Sequence, residues 1–303
     1  MQISSKLFLE KILVIKTGAG GDVVRTSVLL NALAGKVTWL TEEKYKDLFP
    51  EFHPRVESIL PVSEWTELIL KGPFDLVISL EEDRQCATIA TNVPSRRLTG
   101  VYLDGNSINY TADSACWFDM GLLSKYGLEK ANNIKAHNTS AYQELLFTMI
   151  GGKFRGEKYV VYKNPTLNPT PGVIGIEKRA GKRWNNKIWR GYDHLAPRLS
   201  ALGYKTKFLR QQTSIKAYLD EIATCAYVIS GDTLAMHVAL AYQKPCIAIF
   251  NCTSPAEIFD YGLLHKIISP FLEKYFYKPG FDEEAVNAIS VDEVESVVKS
   301  SFC

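Results

Sequence analysis

The chain of 303 residues carries 35 Lys and Arg against 33 Asp and Glu, and 46% of its residues are hydrophobic. That balance describes a folded chain with ample core and excludes global disorder; a net charge of +2 gives no general attraction to nucleic acid. The length suits two units of about 150 residues each.

Six cysteines at positions 86, 116, 225, 246, 252 and 303 form no CxxC and no dense framework, so reduced thiols are expected and no zinc site. The opening "MQISSKLFLEK" lacks a secretory apolar region, and no run has transmembrane length. The expectation is a cytoplasmic protein.

In chain order, "KILVIK" at 11–16 reads as a buried parallel strand, followed by "TGAGGD" and a helical repeat, "VVRTSVLLNALAG". "KVTWLT", "VESIL" and "FDLVISL" supply further strands, and the alternation predicts a doubly wound parallel sheet. Residues 100–135 mix aromatics with turn residues and read as a ligand-receiving loop or an irregular packing segment. "SAYQELLFTMIGG" is a helix with a glycine stop, and "KNPTLNPTPG" at 163–172 marks a junction.

The second half restarts with "GVIGI" and continues through a helix in "WRGYDHLAPRLSALG" to the strand "YKTKFL". "SIKAYLDEIATC" reads as a helix, "AYVIS" as a strand, "TLAMHVALAYQ" as a helix and "PCIAIF" as a strand; helical pieces follow in the tail. The boundaries are 1–155, a linker at 156–171, and 172–303. Two α/β units place a small-molecule site in the cleft between them, at the carboxyl ends of strands.

Several residues carry candidate chemistry. Gly18, Gly20 and Gly21 let backbone and ligand approach closely where a helix begins; Val23 stands where the dinucleotide fingerprint needs a glycine, which disfavours a dehydrogenase. Asp22 is a helix cap or a general base. Asp232 and Thr233 cap a helix or offer oxygens to a ligand, and His237 lies a turn and a residue beyond Asp232. The strip "EKRAGKRWNNKIWRG" at 177–191 sets six cations around two tryptophans, a solvated loop or a diphosphate clamp. GxSxG, a P-loop, HExxH and an EF-hand loop are absent.

Three stretches in order, "KILVIKTGAGGDVVRTSVLLNAL", "KRWNNKIWRGYDHLAPRL" and "VISGDTLAMHVALAYQKPCIAIFNCTSP", resemble glycosyltransferase family 9, the lipopolysaccharide heptosyltransferase family. The resemblance implies a GT-B architecture, two Rossmann-like domains facing a central cleft, and inverting, metal-independent transfer of a sugar, heptose in the family, from a nucleotide-diphosphate donor to a saccharide hydroxyl. It implies Asp22 as catalytic base beside an acceptor-side loop of Gly18, Gly20 and Gly21. Lys182, Arg183, Asp232, Thr233 and His237 become donor-binding residues.

No cofactor is implied beyond the donor, for which an ADP-sugar is favoured. The implied partners are the sugar nucleotide and a saccharide or glycolipid acceptor, met in the cytoplasm or at the cytoplasmic face of the inner membrane, with no nucleic acid and no obligatory protein. The chain departs from the family at Leu234 and Ala235, and in "FNCTSP". Between "KTKFL" and "SIKAYLDEI" it lacks the glycine-rich loop and downstream Glu that hold the ribose, a role Glu221 does not inherit. Those departures keep open a transferase with another donor and a nonlipid acceptor, and a noncatalytic nucleotide-sugar binder.

Overall fold

The computed structural model describes residues 10–181 and 183–302. The first sheet grows from β1 (Lys11–Ile15), whose last four residues are fully buried apolar side chains. It is flanked by β2 (Lys36–Thr41) and β4 (Leu76–Ser79), and extended by β3 (Val56–Pro61), β5 (Leu98–Asp104) and β6 (Ser107–Tyr110), in the order β3-β2-β1-β4-β5-β6. All pairings are parallel except β5 with β6. The order reverses between β1 and β4, so the loops leaving those two strands border the crevice where α/β sheets receive ligands.

The helices of this half are α1 (Gly20–Thr26), α2 (Leu29–Ala32), α3 (Glu67–Lys71), α4 (Arg84–Asn92), α5 (Ala115–Phe118), α6 (Leu128–Ala136) and α7 (Tyr142–Met149). The sequence predicts one helix over 23–35. The structure starts it three residues earlier, taking in Gly20, Gly21 and Asp22, and interrupts it at Ser27. There the Ser27 hydroxyl donates to the Val24 carbonyl at 2.6 Å and accepts the Val160 N–H at 2.9 Å, diverting the chain. Residues 100–135 are neither an open loop nor irregular throughout: a hairpin turns at Gly105, φ +58°, and α5 and α6 follow.

The second sheet contains β7 (Thr170–Glu177), β8 (Lys205–Phe208), β9 (Cys225–Gly231), β10 (Cys246–Phe250) and β11 (Leu264–Ile268), all parallel, in the order β11-β10-β9-β7-β8. Here the order reverses between β7 and β9. Its helices are α8 (Tyr192–Ala201), α9 (Ile215–Ala223), α10 (Leu234–Ala241), α11 (Leu272–Tyr275), α12 (Glu283–Asn287) and α13 (Val291–Ser301). β7 begins at Thr170, inside the stretch read as linker, and Tyr159 of that stretch is buried.

One apolar cluster contains Val14, Trp39 and Phe147 together with Val228, Val238 and Ala248, so the two sheets share a core. Helices α1 and α10 pack directly on each other. Every described cysteine is a free thiol. Among the described residues no helix is long and apolar enough to cross a membrane.

Candidate functional site

The carboxyl ends of β1 and β4 meet as an internal ion pair. Lys16, which follows β1, sets its ammonium 2.9 Å from Glu81 Oε1, which follows β4. The same oxygen accepts the N–H groups of Thr17 at 2.7 Å and Gly18 at 3.0 Å. The amides that lead into the glycine turn are therefore taken by the protein's own carboxylate. Burial opposes charge on Lys16, but Glu81 and then Asp22 outweigh it and hold the lysine above its ordinary pKa.

Gly20 and Gly21 form the first turn of α1, where their missing side chains serve packing. A Cβ on Gly21 would lie 2.7 Å from His237 Cδ2, and one on Gly20 would lie 2.9 Å from the Tyr45 ring and 3.4 Å from Leu234 Cδ2. Leu234, a departure from the family pattern, thus fills the space over Gly20. The start of α1 and the start of α10 touch through these two glycines.

Asp22 does not cap α1: the cap position is Ala19, and no side chain bonds the first-turn amides. Its carboxylate, 36% exposed, instead meets Arg25 Nη2 at 2.8 Å one turn later. Burial would raise its pKa, but Arg25, Lys16, His237 and Lys187 together hold it below the usual value. Asp22 is therefore ionised at neutral pH, and of the cations that keep it so, Lys187 belongs to the second half of the chain.

Asp232 and Thr233 follow β9 at the reversal point of the second sheet. Thr233 stands at the cap position of α10, yet no side chain caps that helix. Asp232 is held by Lys187, whose ammonium lies 2.8 Å from Oδ2 and 2.9 Å from the Asp232 carbonyl. Burial works against the carboxylate, and Lys187 and His237 pull its pKa well down. His237 Nε2 is 3.7 Å from Asp232 Oδ1, beyond hydrogen-bond reach. Burial lowers the imidazole to about 4 despite Asp232, so the ring is neutral at pH 7.

Buried polar atoms without a hydrogen-bond partner among the described residues include Thr233 Oγ1 and His237 Nδ1 of this cluster, Arg25 Nε on α1, and, just after β10, both amide atoms of Asn251 and Thr253 Oγ1. Such groups are costly unless something else satisfies them.

The sequence nominations separate cleanly. Asp22, Gly20, Gly21, Asp232, Thr233 and His237 converge where α1 meets α10. Lys182 lies outside the described residues. Arg183 is exposed, with its guanidinium 5.3 Å over the Trp184 ring, and makes no ion pair with Asp232. Lys187, in the same basic strip, is the lysine that does. Its signal was the strip itself, although spacing could not choose among six cations.

Arg25 was also missed. It follows Asp22 by one helical turn, which places both on one face. Glu221 accepts the Arg210 N–H at 3.0 Å and the Gln212 side chain at 2.9 Å, tying off the short β8–α9 connection.

Two cavities, about 560 and 670 Å³, lie away from this cluster. The first is bordered by Asn31, Asp75 and Arg97, the second by Cys116 and His137. Within the convergent cluster Asp22 pairs with Arg25 and Asp232 with Lys187. Among the described residues, no group of three or more His, Cys, Asp or Glu side chains is arranged to hold a metal ion.

Residues 192–274 match the family described as Glycosyltransferase family 9 (heptosyltransferase). Lipopolysaccharide heptosyltransferase 1 of Escherichia coli (strain K12) is 21% identical over 302 residues, covering 83% of this chain and 91% of that protein. The fold is similar to that of E. coli ADP-heptose lps heptosyltransferase II, with TM-score 0.65, 16% identity, and 96% and 98% of the two chains covered. It is also similar to a glycosyl transferase family 9 structure from Veillonella parvula DSM 2008, with TM-score 0.57, 18% identity and 97% of each chain covered. The likeness in structure gives the two-sheet GT-B-like fold; the match over residues 192–274 and the relative that spans most of the chain support a glycosyltransferase enzyme similar to those of family 9.

Proposed function

We propose that the chain moves a sugar from a nucleotide-diphosphate donor to a saccharide hydroxyl, with inversion and without a metal, and that ADP-heptose is the donor to try first. The observation that carries the reading is the contact of Gly21 with His237. It brings Asp22, on the first sheet's helix, beside the Asp232 group at the end of the second sheet. In this reading residues 1–155 hold the acceptor, 156–171 link, and 172–303 hold the donor.

The acceptor oxygen attacks the anomeric carbon as the bond from that carbon to the diphosphate oxygen breaks. Asp22 takes the acceptor's proton. A carboxylate held ionised by neighbouring cations is a weak base toward a resting hydroxyl, so transfer of the proton accompanies attack, when the oxygen has become acidic. Lys187, with Lys182 and Arg183 of the same strip and the first-turn amides of α10, carries the charge of the leaving diphosphate. Asp232 and Thr233 Oγ1 address donor hydroxyls, and neutral His237 offers Nδ1. The glycine segment is the acceptor's floor.

The test is a screen of ADP-, GDP- and UDP-sugars against saccharide and glycolipid acceptors, with and without chelator, read by intact mass and linkage. Asp22→Asn should lose on the order of 10²-fold or more in kcat with donor affinity retained; undiminished turnover refutes the base. A second reading rests on the β8–α9 connection, where Glu221 closes a loop with no glycine-rich stretch. It is a transferase whose donor nucleotide is gripped differently, and it predicts GDP- or UDP-sugar turnover above ADP-heptose. Donor affinity with no transfer to any acceptor would instead mark a binding protein. A glycolipid acceptor would be met at the cytoplasmic membrane surface.

A further inference from the structure

Asp22 is tied, through Arg25, to a carboxylate from the other half of the chain. Arg25 is nearly buried. One guanidinium arm reaches Asp22 Oδ1 at 2.8 Å, and the other turns toward Glu257 Oε2 at 3.6 Å. Its guanidinium carbon lies 3.8 Å over the Tyr142 ring and 5.8 Å from that of Trp117, which fixes its plane.

Glu257 lies between β10 and β11 and is 3% exposed. Its other oxygen sits 3.4 Å from the Lys135 ammonium on α6 and accepts the Tyr277 hydroxyl at 3.2 Å, while its carbonyl accepts the Tyr142 N–H of α7 at 2.9 Å. A carboxylate from the second sheet's half thus sits among cations and amides of the first. A buried glutamate held this way has a cost in desolvation that packing alone does not require.

We infer that Glu257 is a positioning residue for the reaction: by holding one arm of Arg25 it prevents that arginine from clamping Asp22 with both, and so leaves the carboxylate free for the acceptor proton. The inference rests on Asp22 being the base. The link crosses between the two halves, so the base is set only when they are seated together. The charged groups facing Asp22 are Arg25 from α1, Lys16 from the end of β1 and Lys187 from the basic strip, and the titratable His237 of α10 faces it as well; Arg25 in turn faces Tyr142 and Asp232 as well as Glu257.

The experiment is a titration of Asp22 in the full-length protein labelled with ¹³C at aspartate carboxyls, assigned by the resonance lost in Asp22→Asn. Glu257→Gln should move the midpoint down by about half a pH unit, and Arg25→Gln should move it up. Combined with Arg25→Gln, the glutamate substitution should move it by less than about half its effect in the natural protein. Lys135→Gln, which frees Glu257 for Arg25, should move it up and keeps the test readable where acid unfolding hides a low midpoint.

A midpoint unmoved by both Glu257→Gln and Lys135→Gln overturns the inference. An equal shift with and without Arg25 does so too, because the action is then direct. With ADP-heptose as donor, Glu257→Gln should lower kcat and leave the donor KM in place; the reverse pattern overturns it. Full turnover in Asp22→Asn, with the titration shifts as expected, removes the base assignment and leaves the link supported.

Discussion

His237 shows how burial sets chemistry at a single residue. Packed on Gly21 and shut from solvent, it is lowered to about 4. A histidine whose folded pKa lies below its unfolded value binds fewer protons in the native state than in the unfolded one. It therefore leaves stability intact above about pH 6.5 and removes it as pH falls toward 4. The loss amounts to at most about 3 kcal/mol at the lower end. His237→Gln should flatten urea-derived stability between pH 6.5 and 4 relative to the natural protein; an unchanged slope would mean the ring is not kept neutral. The sequence marked this residue by its spacing from Asp232, but not the neutrality, which comes from packing against a distant glycine.

Elements explain which parts of the fold could be read directly. β1, β2, β9 and β10 are dense apolar runs between turn residues, and buried parallel strands are made of little else. β11 escaped notice because its pattern is mixed: Leu264 and Ile267 are buried on opposite faces, His265 and Ile268 are exposed, and Lys266 reaches the Pro255 and Ile258 carbonyls, as suits a sheet edge. The β5–β6 hairpin and α4 did carry signals, an Asp-Gly turn and an Asp83 cap that accepts the Cys86 N–H at 2.9 Å, outweighed by the aromatic and polar mixture around them.

The glycines at the start of α1 read as a ligand loop, and Gly20 and Gly21 also make a helix-to-helix contact that the sequence does not announce. Gly21→Ala should cost about 1–3 kcal/mol, because its Cβ would push α1 off α10. Transfer activity should fall with it. Denaturant unfolding and an initial-rate assay check both, and a substitution that is neutral in stability would show that the two helices can part without cost.

At the scale of the whole molecule, two repeated strand–helix patterns suggest two independent bodies. The structure gives them one apolar cluster, from Ile12 to Leu264, and a ring of aromatic contacts that includes Phe154 against Phe259 at 4.9 Å. Alternation along a sequence reports each sheet's local pattern; it carries no information on whether the helices between sheets share a core. The full chain should unfold in urea in one transition, with tryptophan fluorescence and far-UV circular dichroism coinciding. Residues 1–155 produced alone should bind a hydrophobic dye and melt broadly. Two separated transitions in the full chain would contradict the shared core.

Glu81 has a consequence at this scale. By closing the Thr17 and Gly18 amides and the Lys16 ammonium on an internal carboxylate, the first half carries its own counter-ion. That loop keeps its shape without help from dissolved anions, and in the proposed reading its Lys16–Glu81 pair adds no net charge where an acceptor hydroxyl approaches Asp22. On the proposed function, ionic strength should then act one-sidedly, chiefly through the donor's diphosphate and little through the acceptor.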